Sequence, residues 1–114
     1  MLSRVYRLRQ KNDIERVLKK GKRFTDPFFQ VIIFKNGLSV NRFCVIISKK
    51  TEKRAHSRNR LKRQITEILR RNRTMVPEGY DVVILVFSPA SGESSQVFFE
   101  HLAAIFRERF PPRR

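Results

Sequence analysis

Acidic residues are scarce in this 114-residue chain: ten Asp and Glu face 26 Lys and Arg, leaving a net charge of +16. Cysteine is nearly absent as well. Cys44 has no second cysteine for an internal disulfide, which suits a reducing compartment. Within "RFCVIIS" it reads as a small buried apolar residue. No stretch approaches the roughly 20 apolar residues that span a bilayer. The opening "MLSRVYRLRQ" has no apolar centre of signal-peptide length and carries bases throughout. The expectation is a cytoplasmic protein without a membrane partner.

The usual catalytic constellations are missing too. There is no His/Cys cluster at metal-ligand spacing, no glycine-rich phosphate loop and no paired-Asp motif for magnesium. Asp13, Asp26 and Asp81 fall where a helix cap, a turn and a strand start are expected, and His101 reads as a helix residue beside Glu100. No catalytic residue, no metal ligand and no cofactor held by the protein alone is expected. By itself the chain does not read as an enzyme.

What is present is enough for one core. Forty percent of the residues are hydrophobic, ten of them Phe, with runs such as "FFQVIIF" and "YDVVILVF". A domain of this size hides roughly two-thirds of its unfolded surface. "NDIERVLKKG" predicts a short helix with Ile14, Val17 and Leu18 on one stripe, Asn12 or Asp13 as its cap and Gly21 as a left-handed stop. "FTDPFFQVIIFKNG" predicts a strand, with Asn36-Gly37 as a hairpin signal towards "VNRFCVIIS", its expected antiparallel partner. From Ser57, a candidate N-cap, Leu61, Ile65, Ile68 and Leu69 recur at helical spacing until Pro77 and Gly79 end the segment. "YDVVILVF" predicts a central strand buried on both faces, and "SPASGESS" a loop that caps a last helix. In that helix Phe98, Leu102, Ile105 and Phe106 form the inner face. The fold class is α+β: a single-domain α/β sandwich over residues 1–114, in the order α-β-β-(β)-α-β-α. Residues 1–10 form a basic N-terminal arm and 111–114 a frayed tail.

The charge is not spread evenly. Residues 1–73 hold 22 basic and 5 acidic side chains, a net of +17, whereas residues 74–114 net −1. Such imbalance repels itself in a compact fold, so a polyanionic partner is implied, nucleic acid first and an anionic membrane surface second. The density peaks in "KKTEKRAHSRNRLKRQITEILRRNR", residues 49–73, with eleven Lys or Arg against Glu52 and Glu67. On a wheel advancing about 100° per residue, Ile65, Ile68 and Leu69 cluster around Leu61. Asn59, Arg63, Thr66 and Arg70 fall on the opposite stripe, with Arg60 beside it and Arg58 and Lys62 flanking the apolar side. Arg offers phosphate a planar fork of donors, and Asn supplies both a donor and an acceptor. Lys49, Lys50, Lys53 and Arg54 extend the patch towards the helix N-terminus, where open N–H groups favour anions. His56 is either a further phosphate donor or a bystander. A solvated helix face is the plain alternative, but such faces mix signs, whereas here Glu67 is the one acidic residue beside the cationic stripe.

The run "SKK", then "RAHSRNRLKR" and "ITEILR", resembles the signature of the bacterial ribonuclease P protein subunit, as does the order of elements across the whole chain. The resemblance implies a small basic subunit of an endoribonuclease whose RNA cuts the 5′ leader from precursor tRNA with Mg2+. Its partners would be ribonuclease P RNA and precursor tRNA, with no obligate protein partner. It also implies a left-handed crossover through the basic helix, against the usual hand. The family motif maps onto Lys49, Lys50, Arg54, Arg58, Asn59, Arg60, Lys62 and Arg63; Lys53 and Arg70 extend the candidate RNA-binding set. The implied leader cleft falls on Ile14 and Leu18, where the family commonly has Phe, with Phe28 as a candidate stacking residue and Phe24 or Phe29 as substitutes. Cys44 also replaces a common glycine. The rivals are another structured-RNA binder such as a small ribosomal protein, a helix-based DNA reader and a stand-alone nuclease. The buried side of the basic helix and the missing acidic metal ligands argue against the last two.

Overall fold

The computed structural model describes residues 2–87 and 92–111. After a single 3-10 turn at Arg4–Tyr6 come α1 (Lys11–Lys20), β1 (Lys22–Thr25), β2 (Phe29–Lys35) and β3 (Arg42–Ile46). The chain continues through α2 (Ala55–Arg71), a 3-10 turn at Arg73–Met75, β4 (Tyr80–Val86) and α3 (Ser95–Arg109). The strands form one sheet in the order β1-β2-β4-β3. The mixed α+β architecture matches the sequence expectation, and β1 is the additional strand. It is separated from β2 by a turn in which the Asp26 carboxylate accepts the N–H groups of Phe28 and Phe29, both at 2.8 Å. A side chain that mimics a backbone turn in this way breaks what reads as one strand into a hairpin.

The pairing expected at Asn36-Gly37 does not occur. β2 and β3 are separated by β4, which runs antiparallel to β2 and parallel to β3. Asn36-Gly37 still turns the chain, with Gly37 at φ 73°, but Asn36 is tied to the start of β4 instead. Its amide donates to the Asp81 carboxylate at 2.9 Å and its backbone N–H to the Gly79 carbonyl at 2.8 Å. β4, apolar along most of its length, gains more from the centre of the sheet than the shorter β3 would.

Alternation along the strands divides the apolar residues between two faces. Phe29, Val31, Ile33, Phe43, Val45, Val82, Ile84 and Val86 meet Leu61, Ile65, Ile68 and Leu69 of α2 and the four predicted residues of α3. The other face is covered by α1 and, at the β3 edge, by Leu8 of the N-terminal arm. Val17 is fully buried there against Ile32 and Val83, while Ile14, Leu18, Phe34, Cys44, Ile46 and Leu85 are only partly buried. The result is a sheet closed on one side and half open on the other.

Three helix ends differ from expectation. α1 begins after Gln10 with no side-chain cap, and Asp13 pairs with Arg16 and Arg42 instead. Gly21 is not left-handed; its φ is −71°. A Cβ there would lie 2.6 Å from Ile32 Cγ2 and from the Val17 carbonyl oxygen, so the site requires glycine for space. α2 begins two residues before Ser57, with Arg54 at the cap position and no side-chain cap bond. Ser94 caps α3 as expected, its hydroxyl accepting the Val97 N–H at 3.2 Å. Residues 88–91 of the expected loop and 112–114 of the expected tail lie outside the described residues. The basic arm lies along the edge of β3: Leu2 and Leu8 are buried, and the Leu8 N–H donates to the Phe43 carbonyl at 2.8 Å.

Candidate nucleic-acid interface

α2 is positioned by its apolar stripe. Ile65 and Leu69 are shielded almost completely, Leu61 and Ile68 nearly so, and this fixes the rotation of the helix on the sheet. Asn59, Arg60, Lys62, Arg63 and Arg70 consequently face solvent. Lys49, Lys50, Lys53 and Arg54 are exposed in the segment that leads from β3 into the helix. His56 lies in the first turn of α2 rather than in a loop, and is also exposed.

The ten basic-patch residues divide by what already holds them. Arg58 folds back to brace the segment before the helix, donating to the Glu52 and Lys53 carbonyls at 3.0 and 2.8 Å. Arg54 meets the Glu52 carboxylate at 3.2 Å. Arg70 grips Glu67, and with Arg71 it holds that carboxyl down to about 2. The same contact raises the Arg70 guanidinium. The side chains of Lys49, Lys50, Lys53, Asn59, Arg60, Lys62 and Arg63 make no hydrogen bond or ion pair with the described residues. The segment carrying the lysines is itself anchored, since the Thr51 hydroxyl donates to the Val86 carbonyl at 3.0 Å. The first turn of α2 contains no acidic residue and no capping side chain, and just before it the Glu52 carboxylate accepts the Arg54 N–H at 3.2 Å.

The comparisons with known proteins agree on one family. The sequence profile described as Ribonuclease P matches residues 2–109. The chain belongs to the ribonuclease P family. A ribonuclease P protein component from Thermotoga maritima is 38% identical over 93 residues, 82% of this chain and 79% of that relative. One from a Pseudanabaena strain is 32% identical over 106 residues, covering 92% and 91% of the two chains. The solved RNase P protein of Thermotoga maritima superposes with a TM-score of 0.81 at 30% identity, over 90% of this chain and 96% of that one. Within ribonuclease P the chain is a subunit of the endonuclease that processes tRNA 5′ ends, which sets aside the ribosomal-protein and DNA-reader alternatives. The Lys-Lys and Arg-Asn-Arg elements of the family motif are brought to one end of α2.

The residues expected at a leader cleft are not all brought together. Ile14 and Leu18 lie on the half-open face against Ile32 and Val83. Phe28 lies elsewhere: its ring packs edge-on to Phe98 and 4.5 Å from the His101 ring of α3. Phe29 is in the core, and Phe24 packs on the α2/α3 side. The aromatic residue on the half-open face is Phe34, legible in hindsight from the period-two alternation of "QVIIFK". Sequence reasoning also missed His101, whose Nδ1 sits 2.9 Å from an Asp26 carboxylate oxygen and so ties α3 to the β1–β2 turn. Among the described residues no group of three or more His, Cys, Asp or Glu could hold a metal ion. No helix described is long and apolar enough to cross a membrane.

Proposed function

We propose that the exposed cations at the start of α2 bind the RNA subunit of ribonuclease P, while the half-open sheet face receives the 5′ leader of precursor tRNA. One observation carries this reading: seven polar side chains, six of them cationic, have no partner among the described residues and stand around one anchored segment and one helix end. Unpaired cations keep their attraction for phosphate, and each phosphate neutralised releases counterions. Asn59, between Arg58 and Arg60, adds a donor and an acceptor that can meet a sugar hydroxyl or a base edge. Arg58, already bound to two carbonyls, acts mainly by holding the lysine segment in place.

On the opposite face, Ile14 and Leu18 of α1 stand beside partly exposed Cys44, Ile46 and Leu85. An extended strand of RNA can lay bases on such apolar ground, with Phe34 as the available ring and Arg23 at the border. Phe28 has no part in this cleft. The protein works in the cytoplasm by reducing repulsion between two polyanions, the catalytic RNA and the tRNA precursor. Mg2+ would serve the RNA, and no step is assigned to a metal held by this chain.

The test is reconstitution. Purified protein is mixed with ribonuclease P RNA from the same genome, precursor tRNA and Mg2+, and cleavage is mapped. Stimulated cleavage at the mature 5′ end is expected, with none from the protein alone. Site-specific cleavage by the RNA-free protein would overturn the division of labour.

A further inference from the structure

A second concavity wraps the outer edge of β3 and shares Leu8 and Cys44 with the half-open face. Where the N-terminal arm leaves β3, a cleft of about 660 Å³ opens between the arm, the outer edge of β3 and α2. Leu2, Leu8, Phe43, Val45 and Leu69 contribute apolar walls, and Arg7, Arg9, Lys62 and Arg63 also line it. Its size is that of a small-ligand site.

The backbone of β3 adds polar groups to this apolar ground. The Phe43 carbonyl points outward, because it accepts the Leu8 N–H. Groups on a strand repeat every two residues, so the N–H and C=O of Val45 point the same way. No described residue outside the sheet ladder bonds to them. An adjacent donor and acceptor form the pattern that reads the edge of a base, and the Thr66 hydroxyl offers a further donor or acceptor at the α2 wall.

We propose that this cleft seats an unstacked nucleobase of the partner RNA, with its flanking phosphates held by Arg7, Arg9, Lys62 and Arg63. The inference rests on the proposed RNA partner and names a separate contact on it. Charge selects the occupant. Four cations line the cleft against Glu67 alone, which is already gripped by Arg70 and Arg71. A second copy of this chain, at +16, would be repelled, and so would its own "PPRR" end. A peptide added as a strand would need several open positions in a row. Here the arm already occupies Phe43 and the strand ends at Ile46, leaving only Val45.

The experiment fills the cleft without removing a charge. Thr66→Trp projects from the half-buried flank of α2, and its binding to ribonuclease P RNA from the same genome is measured at several salt concentrations. Affinity about tenfold weaker or more, with an unchanged salt slope, is the expected result. Wild-type affinity in Thr66→Trp overturns the proposal, as does a loss explained wholly by a shallower slope. A second measurement uses the unaltered protein. Cys44 lines the same cleft; burial pushes its thiol up against the pull of Lys62, so iodoacetamide labelling is followed at mildly alkaline pH. Bound RNA should slow it several-fold, and an unchanged rate overturns the proposal even if Thr66→Trp fails to fold. If unaltered protein does not bind that RNA at all, the proposed function itself has failed.

Discussion

Arg42 and Asp81 meet through two parallel hydrogen bonds, Nε to Oδ1 at 2.8 Å and Nη2 to Oδ2 at 2.7 Å. The pair joins the first residue of β3 to the second of β4, and Asp81 is 3% exposed. Arg42 also reaches Asp13 of α1 at 3.5 Å. One guanidinium therefore links the parallel strand pair to the helix over the half-open face. Its hydrogen bond to Asp81 is the main cause that raises the Arg42 guanidinium, against the opposing effect of burial.

Removing that guanidinium strands a buried carboxylate. Arg42→Ala is expected to cost roughly 3–5 kcal/mol, because a buried charge loses its partner. Asp81→Asn, which keeps the shape and removes one charge, should cost less. Denaturant unfolding of both variants checks the order. An Arg42→Ala protein as stable as the original would mean that Asp81 is more hydrated than its burial implies.

The two sides of α2 should separate stability from binding. Asn59→Ala and Arg63→Ala are expected to stay within about 0.5 kcal/mol of the original stability. Both should bind RNA less tightly, and Arg63→Ala should reduce the salt slope by about one phosphate equivalent. Leu61→Ala and Ile65→Ala should each cost roughly 2–5 kcal/mol. Their binding should recover once the folded fraction is corrected for. Thermal unfolding and salt-dependent affinity, measured on all four, decide the matter.

Gly21→Ala tests crowding directly. The added carbon would lie 2.6 Å from Ile32 Cγ2 and from the Val17 carbonyl oxygen. The backbone oxygen belongs to α1 and cannot swing aside as a flexible side chain would. A loss of about 1–3 kcal/mol is expected from such overpacking. Unfolding with an unchanged midpoint would show that α1 shifts on the sheet without penalty.

Acid should release Glu67. Its folded value, held at about 2 by Arg70 and then Arg71, lies below the ordinary 4.5. A depressed carboxyl contributes stability that is present above about 4.5 and is lost as pH falls towards 2. Because the group is exposed and screened, the contribution is small. In Glu67→Gln stability should be slightly lower near neutrality, and the difference should close as pH falls through that window, making the acid side of its profile slightly shallower. Thermal midpoints between pH 2 and pH 7 provide the comparison, and a difference that stays the same from neutrality down to pH 2 would contradict the assignment.

Much of this protein is local and could be read along the chain. The stripe of Leu61, Ile65, Ile68 and Leu69 follows from helical periodicity, and with it the solvent-facing side that carries Asn59 and Arg63. The apolar run of β4 announces a strand buried on both faces, and Ser94 announces the start of α3. The charge excess of residues 1–73 needs no fold to be seen. The partners of the strands were another matter. Asn36-Gly37 signals a turn equally well whether the next strand pairs directly or leaves room for another, and it is β4, some fifty residues from β2, that takes the place between. Arg58 and Arg63 look alike in the sequence, yet one braces a loop and the other stands open, because only packing sets which carbonyls come within reach. Phe28, expected at the leader cleft, is brought to His101 by the Asp26 turn, and Phe34, of which nothing was expected, stands on the half-open face. Local periodicity determines which side of an element is apolar; long-range contacts, each closing a loop at an entropic cost, determine what that side meets.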